Sequence, residues 1–245
     1  MATDPRKRQK KLERRNAKRK EKKHHLIRDQ SAGSVAKLEA AAQCPVLHCW
    51  VADVLWEEGI GSVLLSRLLP NGSVAVAVFL VDRYCLGVKN AMVTIASRSD
   101  YESQFVHGLR RQYPAQDVSL AYARKLVEDA VEYAEELGFH PHADYHDAEV
   151  LFGDVDANEC AEEFEFGKDG QPFFFAGPHD TPARCRLILA TLTDRCGVGG
   201  FHYFIPFGEA DSFLPQSRRL GHPRLTFGPE DEGVVDDTEE SDRGE

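Results

Sequence analysis

The apolar residues of this chain are concentrated in short runs, and two of these runs lie on either side of a turn signal. Val63 to Leu69 and Val74 to Val81 are rich in residues that favour strands, and Asn71-Gly72 separates them. An Asn-Gly pair between two apolar runs favours a tight β-hairpin. The second run does not alternate with polar residues, so we predict a central strand that is covered on both faces. Ala91 to Ala96 indicates a further strand.

The clearest helical pattern extends from about Ser119 to Leu137. Its apolar side chains recur at i, i+3, i+4 and i+7, which places them on one buried face. They are Leu120, Ala123, Leu126, Val127, Ala130, Val131, Ala134 and Leu137. Asp117 or Ser119 can cap the start of this helix, and Gly138 suits the left-handed residue after its end.

The second half of the chain indicates another hairpin and another helix. We predict the hairpin from Phe164 to Phe175, because Asp169-Gly170 supplies the positive φ angles of a tight turn. Ala183 to Cys196 indicates the helix, Gly197 to Gly200 ends it, and a strand follows at Phe201 to Ile205. Hairpins mixed with separated helices favour an α+β fold over a doubly wound parallel sheet. The predicted fold is therefore a mostly antiparallel sheet built from hairpins, with two or three packed helices.

Charge is distributed unevenly along the 245 residues, which carry a net charge of −10, although 42% hydrophobic and 29% charged residues are ordinary for a soluble protein. Residues 1–30 hold 13 Lys+Arg and 4 Asp+Glu, whereas residues 230–245 hold one Arg and nine acidic residues. We therefore divide the chain into a basic N-terminal arm at 1–34, a globular α+β domain at 35–228 and an acidic tail at 229–245. The arm lacks an apolar stripe, so we expect it to be disordered or transiently helical, and we expect the tail to be disordered.

Membrane-spanning, secreted and disulfide-rich proteins are excluded by the sequence. The longest uninterrupted apolar run has eight residues, far fewer than the ~20 that a membrane-spanning helix requires. No apolar segment of a secretory signal follows the basic N-terminus. The six cysteines are too sparse for a disulfide scaffold. We therefore expect reduced thiols in a cytoplasmic protein that does not enter a membrane.

The basic arm is the strongest functional signal in the sequence. Phosphate is the natural counterpart of such a dense positive charge, and phosphate contacts carry little sequence information. We therefore predict a nucleic-acid-associated protein that contacts the RNA or DNA backbone non-specifically, for example on a ribosomal particle. The contacting residues would be Arg6, Lys7, Arg8, Lys10, Lys11, Arg14, Arg15, Lys18, Arg19, Lys20, Lys22 and Lys23. A solvated arm without a defined partner is the alternative.

Histidine and aspartate are concentrated between residues 138 and 156, which suggests a second hypothesis, a metal-dependent hydrolase. Its candidate metal ligands are His140, His142, Asp144 and His146. Imidazole and carboxylate suit zinc and other divalent metals, and His179 or His202 would act as general acid–base. The spacing matches no established metal signature, so a polar loop with structural histidines is the alternative. The first hypothesis requires no cofactor, whereas the second requires Zn²⁺ or another divalent metal.

Two further possibilities remain open from the sequence. Cys44, His48 and Cys49 offer three soft ligands within six residues, but a structural zinc site needs further ligands elsewhere in the chain. Buried reduced thiols are the alternative for these cysteines. A protein–protein adaptor is a third functional hypothesis, and it predicts neither bound metal nor salt-sensitive RNA binding.

Four segments of the chain look familiar when they are taken together. They are residues 80–91 (LVDRYCLGVKNA), residues 137–145 (LGFHPHADY), the predicted hairpin at 164–178, and residues 197–203. In this order they resemble a family of bacterial proteins with no assigned activity. The resemblance covers roughly residues 45–205 and implies that this span is one folded unit, but it implies no substrate or catalytic residue. Cys85 to Lys89 and Pro141 to Tyr145 are the segments in which function is first sought.

Overall fold

The computed structural model describes residues 35–108, 114–178 and 180–206. The basic arm with its twelve predicted phosphate contacts, the acidic tail and His179 therefore lie outside the described residues. The described part combines a five-stranded antiparallel sheet with packed helices, which confirms the predicted α+β class. None of its helices is long and apolar enough to cross a membrane.

The main sheet consists of four strands that are neighbours in sequence and one short strand added at an edge. The strands are β1 (Val46–Ala52), β2 (Ile60–Leu68), β3 (Val74–Asp82), β4 (Gly87–Ala96) and β5 (Ala115–Asp117). Their spatial order is β4-β3-β2-β1-β5, and all neighbouring pairs are antiparallel. The predicted hairpin is confirmed, because Leu64 lies opposite Val78 and Gly72 in the turn has a φ of 82°.

Strand β3 is covered on both faces, as its unbroken apolar sequence predicts. Ala77 and Phe79 belong to the main core, which also includes the buried face of the long helix. Val74 and Val76 point to the opposite face and pack with Trp50 and other residues in a second cluster. The predicted central strand is therefore confirmed.

The helical elements lie on both sides of the sheet and after it. They are α1 (residues 35–42), α2 (Val54–Glu58), α3 (Arg98–Asp100, continued by a π-helical turn at Tyr101–Val106), α4 (Leu120–Glu136), α5 (Tyr145–Glu149, followed by 3₁₀ turns at Val150–Phe152 and Ala157–Glu159) and α6 (Pro182–Cys196). Helix α4 is the long predicted helix. The Ser119 hydroxyl accepts a hydrogen bond from Tyr122 N at 3.1 Å, and Gly138 after the helix has a φ of 90°.

The structure differs from the predicted second hairpin except at its turn. Asp169 and Gly170 have φ angles of 53° and 78°, as the tight turn requires. A single antiparallel bridge, between Lys168 and Gln171, flanks this turn. Residues 164–166 form no strand, because the ring of Phe164 stacks on another aromatic ring instead of joining a sheet. The predicted strand at 164–166 is therefore wrong.

The strand after this turn pairs with a partner that lies beyond α6. β6 (Phe173–Phe175) and β7 (His202–Phe204) form a parallel two-stranded sheet, and α6 connects them. Helix α6 and the strand that follows it are confirmed, with the Thr181 hydroxyl accepting a hydrogen bond from Arg184 N at 3.3 Å. This βαβ unit shares a core cluster with the end of α4 and with Leu86.

Arg67 is a charged residue in the interior of the protein, on strand β2, and it is only 7% exposed. Its Nη1 donates to Cys44 O at 2.7 Å, its Nε to Leu151 O at 2.7 Å and its Nη2 to Phe152 O at 2.9 Å. Burial lowers the pKa of the Arg67 guanidinium from its ordinary value. Arg67 therefore joins the sheet to the turn after α1 and to the 3₁₀ turn at Val150–Phe152, which are distant in sequence.

Candidate functional site

The two segments in which function was first sought meet at the start of β4. The backbone N–H of His142 donates to the carbonyl of Val88 at 3.0 Å. Three residues later, the buried Tyr145 ring meets the Phe79 ring edge-on, with 6.2 Å between the centroids. Residues 85–89 and 141–145 therefore form one region of the structure, between β4 and α5.

A buried carboxylate lies at the end of β3, immediately before this region. Asp82 is 6% exposed, and its Oδ1 accepts hydrogen bonds from Tyr84 N at 3.0 Å and from Cys85 N at 3.1 Å. Burial raises the pKa of the Asp82 carboxyl above its ordinary value, although Lys89 and the backbone N–H groups oppose this shift. Asp82 therefore fixes the turn between β3 and β4 at a cost in desolvation.

Lys89 links this turn to the start of α6. Its Nζ lies 3.7 Å from Asp180 Oδ2, and the side chains are 13% and 4% exposed. Asp180 also accepts a hydrogen bond from Gly177 N at 2.8 Å, and its Oδ1 lies 3.1 Å from Arg184 Nε. The carboxylates of Asp82 and Asp180 balance the charges of Lys89 and Arg184. We interpret these four side chains as the polar contact that positions the βαβ unit against the main sheet.

Replacing Asp82 by asparagine should change how stability depends on pH. A raised folded-state pKa means that the unfolded chain releases this proton at lower pH than the folded protein does. The contribution of the protonated Asp82 carboxyl to the free energy of unfolding is therefore fully present below the ordinary carboxyl pKa. It is lost as pH rises through the raised pKa of the folded state. Asparagine keeps the acceptor oxygen but does not titrate. As pH rises above ~4, the free energy of unfolding of Asp82→Asn should therefore increase relative to that of the wild type.

Urea unfolding of both proteins across that pH range measures the effect of the Asp82 substitution. The exposed Asp147 lies on α5 and serves as the matched position, and Asp147→Asn should follow the wild-type curve. Asp82→Ala should be less stable than Asp82→Asn at every pH, because it leaves the N–H groups of Tyr84 and Cys85 without their acceptor. Parallel curves for Asp82→Asn and the wild type would contradict the buried-carboxylate interpretation.

The six cysteines are all unpaired, and three of them are buried. Burial raises the pKa of the Cys49 thiol to about 12 and raises the pKa of Cys85 and Cys185 above their ordinary values. The thiolate is the form that attacks electrophiles and binds metals, so these three thiols are not poised for either reaction. Cys49 lies in β1, and within the described ranges it joins no metal-binding group with Cys44 and His48.

Each candidate histidine ligand between residues 138 and 156 pairs with a carboxylate that is close to it in sequence. The pairs are His140 Nδ1 with Glu135 at 3.5 Å, His142 Nδ1 with Asp144 at 4.0 Å and His146 Nδ1 with Glu149 at 2.8 Å. Among the residues that the structure describes, no group of three or more His, Cys, Asp or Glu side chains is arranged to hold a metal ion. His202 is exposed on β7, and in the described part of the chain no hydrogen bond or ion pair joins it to these histidines. The metal hypothesis stays a prediction.

Two adjoining cavities lie beside the turn between β3 and β4, with volumes of about 390 and 510 Å³. Arg83 and Glu165 line both cavities. The Arg83 guanidinium lies 5.4 Å from the centre of the Trp56 ring and 5.2 Å from that of Tyr84, and its Nη1 donates to Glu165 O at 3.3 Å. One face of the Trp56 ring and one face of the Tyr84 ring are therefore covered by the protein's own arginine.

The groove that these two cavities form was not predicted from the sequence, because its lining residues come from separate segments of the chain. The alternating Phe164-Glu165-Phe166 segment was the only available signal, and alternation is equally typical of a strand. Phe164 stacks on Trp56 with 5.9 Å between the ring centroids, and Glu165 is exposed. The groove combines aromatic and acidic side chains, which disfavours phosphate as its ligand.

The formal charge of the described residues is strongly negative. They hold 25 Asp+Glu and 11 Lys+Arg, and residues 128–169 alone hold 15 acidic residues and one lysine.

Comparison with protein-family models, curated proteins and solved structures found no match to this chain. The resemblance to an uncharacterised bacterial family therefore stays a prediction.

Proposed function

We propose that this chain is a cytoplasmic, nucleic-acid-associated protein whose basic arm contacts RNA or DNA phosphates without sequence specificity. The observation that supports the proposal is the separation of charge along the chain. Residues 1–30 hold 13 Lys+Arg and 4 Asp+Glu, whereas the described globule holds 25 acidic and 11 basic residues. An acidic globule repels phosphate, so the contact with nucleic acid is left to the arm.

This division predicts a strong dependence of binding on salt. Each phosphate that a lysine or arginine neutralises releases counterions, and about five such contacts give a slope of log K against log salt of roughly −4.5 on duplex DNA or −3.5 on a single strand. The arm has no aromatic residue from Arg6 to Arg28 that could stack on bases. Affinity should therefore differ little between RNAs of different sequence.

The test is binding of a labelled mixed-sequence RNA at two salt concentrations, measured by fluorescence anisotropy. The arm variant replaces Lys18, Arg19, Lys20, Lys22 and Lys23 by glutamine in the full chain. The matched control makes the same change to glutamine at five exposed cations of the globule, namely Lys37, Arg98, Lys168, Arg186 and Arg195. Both variants lose the same formal charge. We expect at least about a tenfold loss of affinity and a flatter salt dependence for the arm variant only.

Equal losses in the two variants would show that overall charge, and not the arm, controls binding. Unchanged affinity after removal of residues 1–30 would refute the proposal directly.

The other two hypotheses predict different results: elemental analysis of a freshly prepared, unchelated sample should find stoichiometric metal for a hydrolase, and an adaptor should show neither metal nor salt-sensitive RNA binding.

A further inference from the structure

The smaller of the two cavities that form the groove has an excess of negative charge. Three carboxylates, those of Glu162, Glu163 and Glu165, line it together with one cation, Arg83. The three glutamates are exposed, and within the described ranges none of them forms an ion pair with a lysine or an arginine. The cavity therefore retains negative charge that a cationic ligand would neutralise.

Aromatic rings also line this cavity. Phe164 stacks on Trp56 and meets Tyr122 edge-on, with 5.9 and 4.9 Å between the ring centroids. Ring faces attract cations, and two of these rings already hold one of the protein's own. Arg83 lies over Trp56, and Lys125 Nζ lies 5.6 Å from the centre of the Phe164 ring. The cavity therefore offers ring surface as well as carboxylates, and both bind the side chains of lysine and arginine.

Glu162 and Tyr122 show that the carboxylates and the rings share one space. Both residues line the cavity, and burial together with the Glu162 carboxylate raises the pKa of the Tyr122 hydroxyl above its ordinary value. The cavity volume of about 390 Å³ lies within the ~300–1,000 Å³ that is typical of ligand pockets. The space is therefore large enough to accept basic side chains from an extended segment of chain.

The chain itself carries a segment of the matching chemistry, the basic arm. Residues 1–30 hold 13 Lys+Arg and 4 Asp+Glu. From Lys23 to Val35, where the described residues begin, the backbone can extend by at most ~40 Å. A folded unit of this size is about 40 Å across, so the arm can reach the cavity from any point on the surface. Attachment to the same chain raises the effective concentration of the arm to about the millimolar range, which favours it over a basic segment of another molecule.

We propose that the basic arm docks in this cavity of its own chain through lysine and arginine side chains, and that docking competes with phosphate for the arm. The competition rests on the proposed function, whereas the docking does not. A docked arm cannot contact nucleic acid, so the apparent affinity falls in proportion to the fraction of molecules whose arm is free. The acidic globule thereby weakens the non-specific binding that its own arm provides.

The two tryptophans of the chain allow docking to be measured by NMR on the full chain without RNA. Trp56 lines the cavity, whereas Trp50 is 2% exposed and packs on the other face of the sheet. The indole N–H signal of Trp56 should shift as salt rises from ~20 to ~300 mM, because salt screens the docked charges. The arm variant should show a much smaller shift, and Trp50 should show none in either protein. The shift of Trp56 should not depend on protein concentration.

RNA binding by the full chain tests the competition. The groove variant replaces Glu162, Glu163 and Glu165 by glutamine. The matched control is Glu39→Gln, Glu132→Gln and Asp147→Asn, at three exposed carboxylates that line neither cavity. Both variants lose the same formal charge, so the general repulsion of phosphate falls equally. We expect the groove variant to bind mixed-sequence RNA about three- to tenfold more tightly than the control at ~20 mM salt, and equally at ~300 mM.

Equal gains in the two variants would assign the effect to overall charge and overturn the cavity as the docking site. A gain that appears only when residues 230–245 are removed would overturn it too, because the arm would then pair with the acidic tail. A Trp56 shift that vanishes on dilution would mean that the arm comes from a second copy.

The two proposals fail in different ways. RNA binding with a Trp56 signal that does not respond to salt would keep the proposed function and overturn the docking. A wild-type chain that binds no RNA would refute the proposed function, whereas a salt-dependent Trp56 signal in that chain, absent from the arm variant, would still support the docking.

Discussion

Replacing Arg67 by methionine should lower the free energy of unfolding by about 3–5 kcal/mol, because three buried carbonyls lose their donor and each such loss costs about 1–3 kcal/mol. The donors are Nε and both Nη atoms of a side chain that is 7% exposed. Methionine fills similar volume, so the loss isolates the hydrogen bonds from the packing. The free energy of unfolding of Arg67→Lys should lie between those of the wild type and Arg67→Met, since one ammonium group cannot reproduce the planar arrangement of donors.

Urea unfolding at neutral pH measures this effect, with Arg98→Met as the matched control. Arg98 lies at the surface, and its Nε pairs with Glu102 at 2.7 Å. Exposed pairs of this kind contribute at most about 1 kcal/mol. If Arg67→Met and Arg98→Met had the same effect, the three buried hydrogen bonds would not stabilise the fold as argued.

Replacing Gly87 by alanine should lower the free energy of unfolding by about 2–4 kcal/mol. Gly87 starts β4 with a φ of 62°, which costs an alanine about 1 kcal/mol. A Cβ atom there would also lie 2.6 Å from Ala130 O and 2.7 Å from Ala134 Cβ. Both atoms belong to α4, so the helix itself must move, which adds about 1–3 kcal/mol.

Gly72→Ala separates the two causes of the Gly87 effect. Gly72 has a φ of 82°, yet no atom lies within 4 Å of the position that its Cβ would occupy. Thermal unfolding should therefore show a cost of only about 1 kcal/mol for Gly72→Ala, which is backbone strain alone. A similar cost at both glycines would mean that α4 does not pack against the start of β4 as closely as the structure indicates.

The elements that sequence analysis predicted correctly are those whose signals are local. The β2–β3 hairpin has its turn residue, Gly72, between its two strands, and α4 is bounded by Ser119 and Gly138. Each of these signals lies within a few residues of the structure it determines. The parallel pairing of β6 with β7 has no local signal, because α6 separates the two strands. The Phe164–Phe166 segment has the alternation of a strand but packs as an irregular segment.

The candidate site was predictable only in part, for the same reason. The resemblance directed attention to residues 85–89 and 141–145, and the structure brings them together through Val88 and His142. Their partner Asp180 lies far along the chain, and nothing in the local sequence links it to Lys89. The His/Asp pattern at 140–146 suggested convergence on a metal, but neighbouring carboxylates pair with the histidines one by one.

The buried thiols affect how long the protein survives when it opens. In the folded state Cys85 and Cys185 are buried and their pKa values are raised, so alkylating agents and oxidised glutathione react with them slowly. Transient unfolding restores an ordinary thiol pKa and exposes both sulfurs at once. Under oxidising conditions, each opening event therefore risks a covalent cross-link that prevents refolding. Under oxidising conditions we therefore expect the lifetime of the folded chain to depend on both its opening rate and the redox potential of its surroundings.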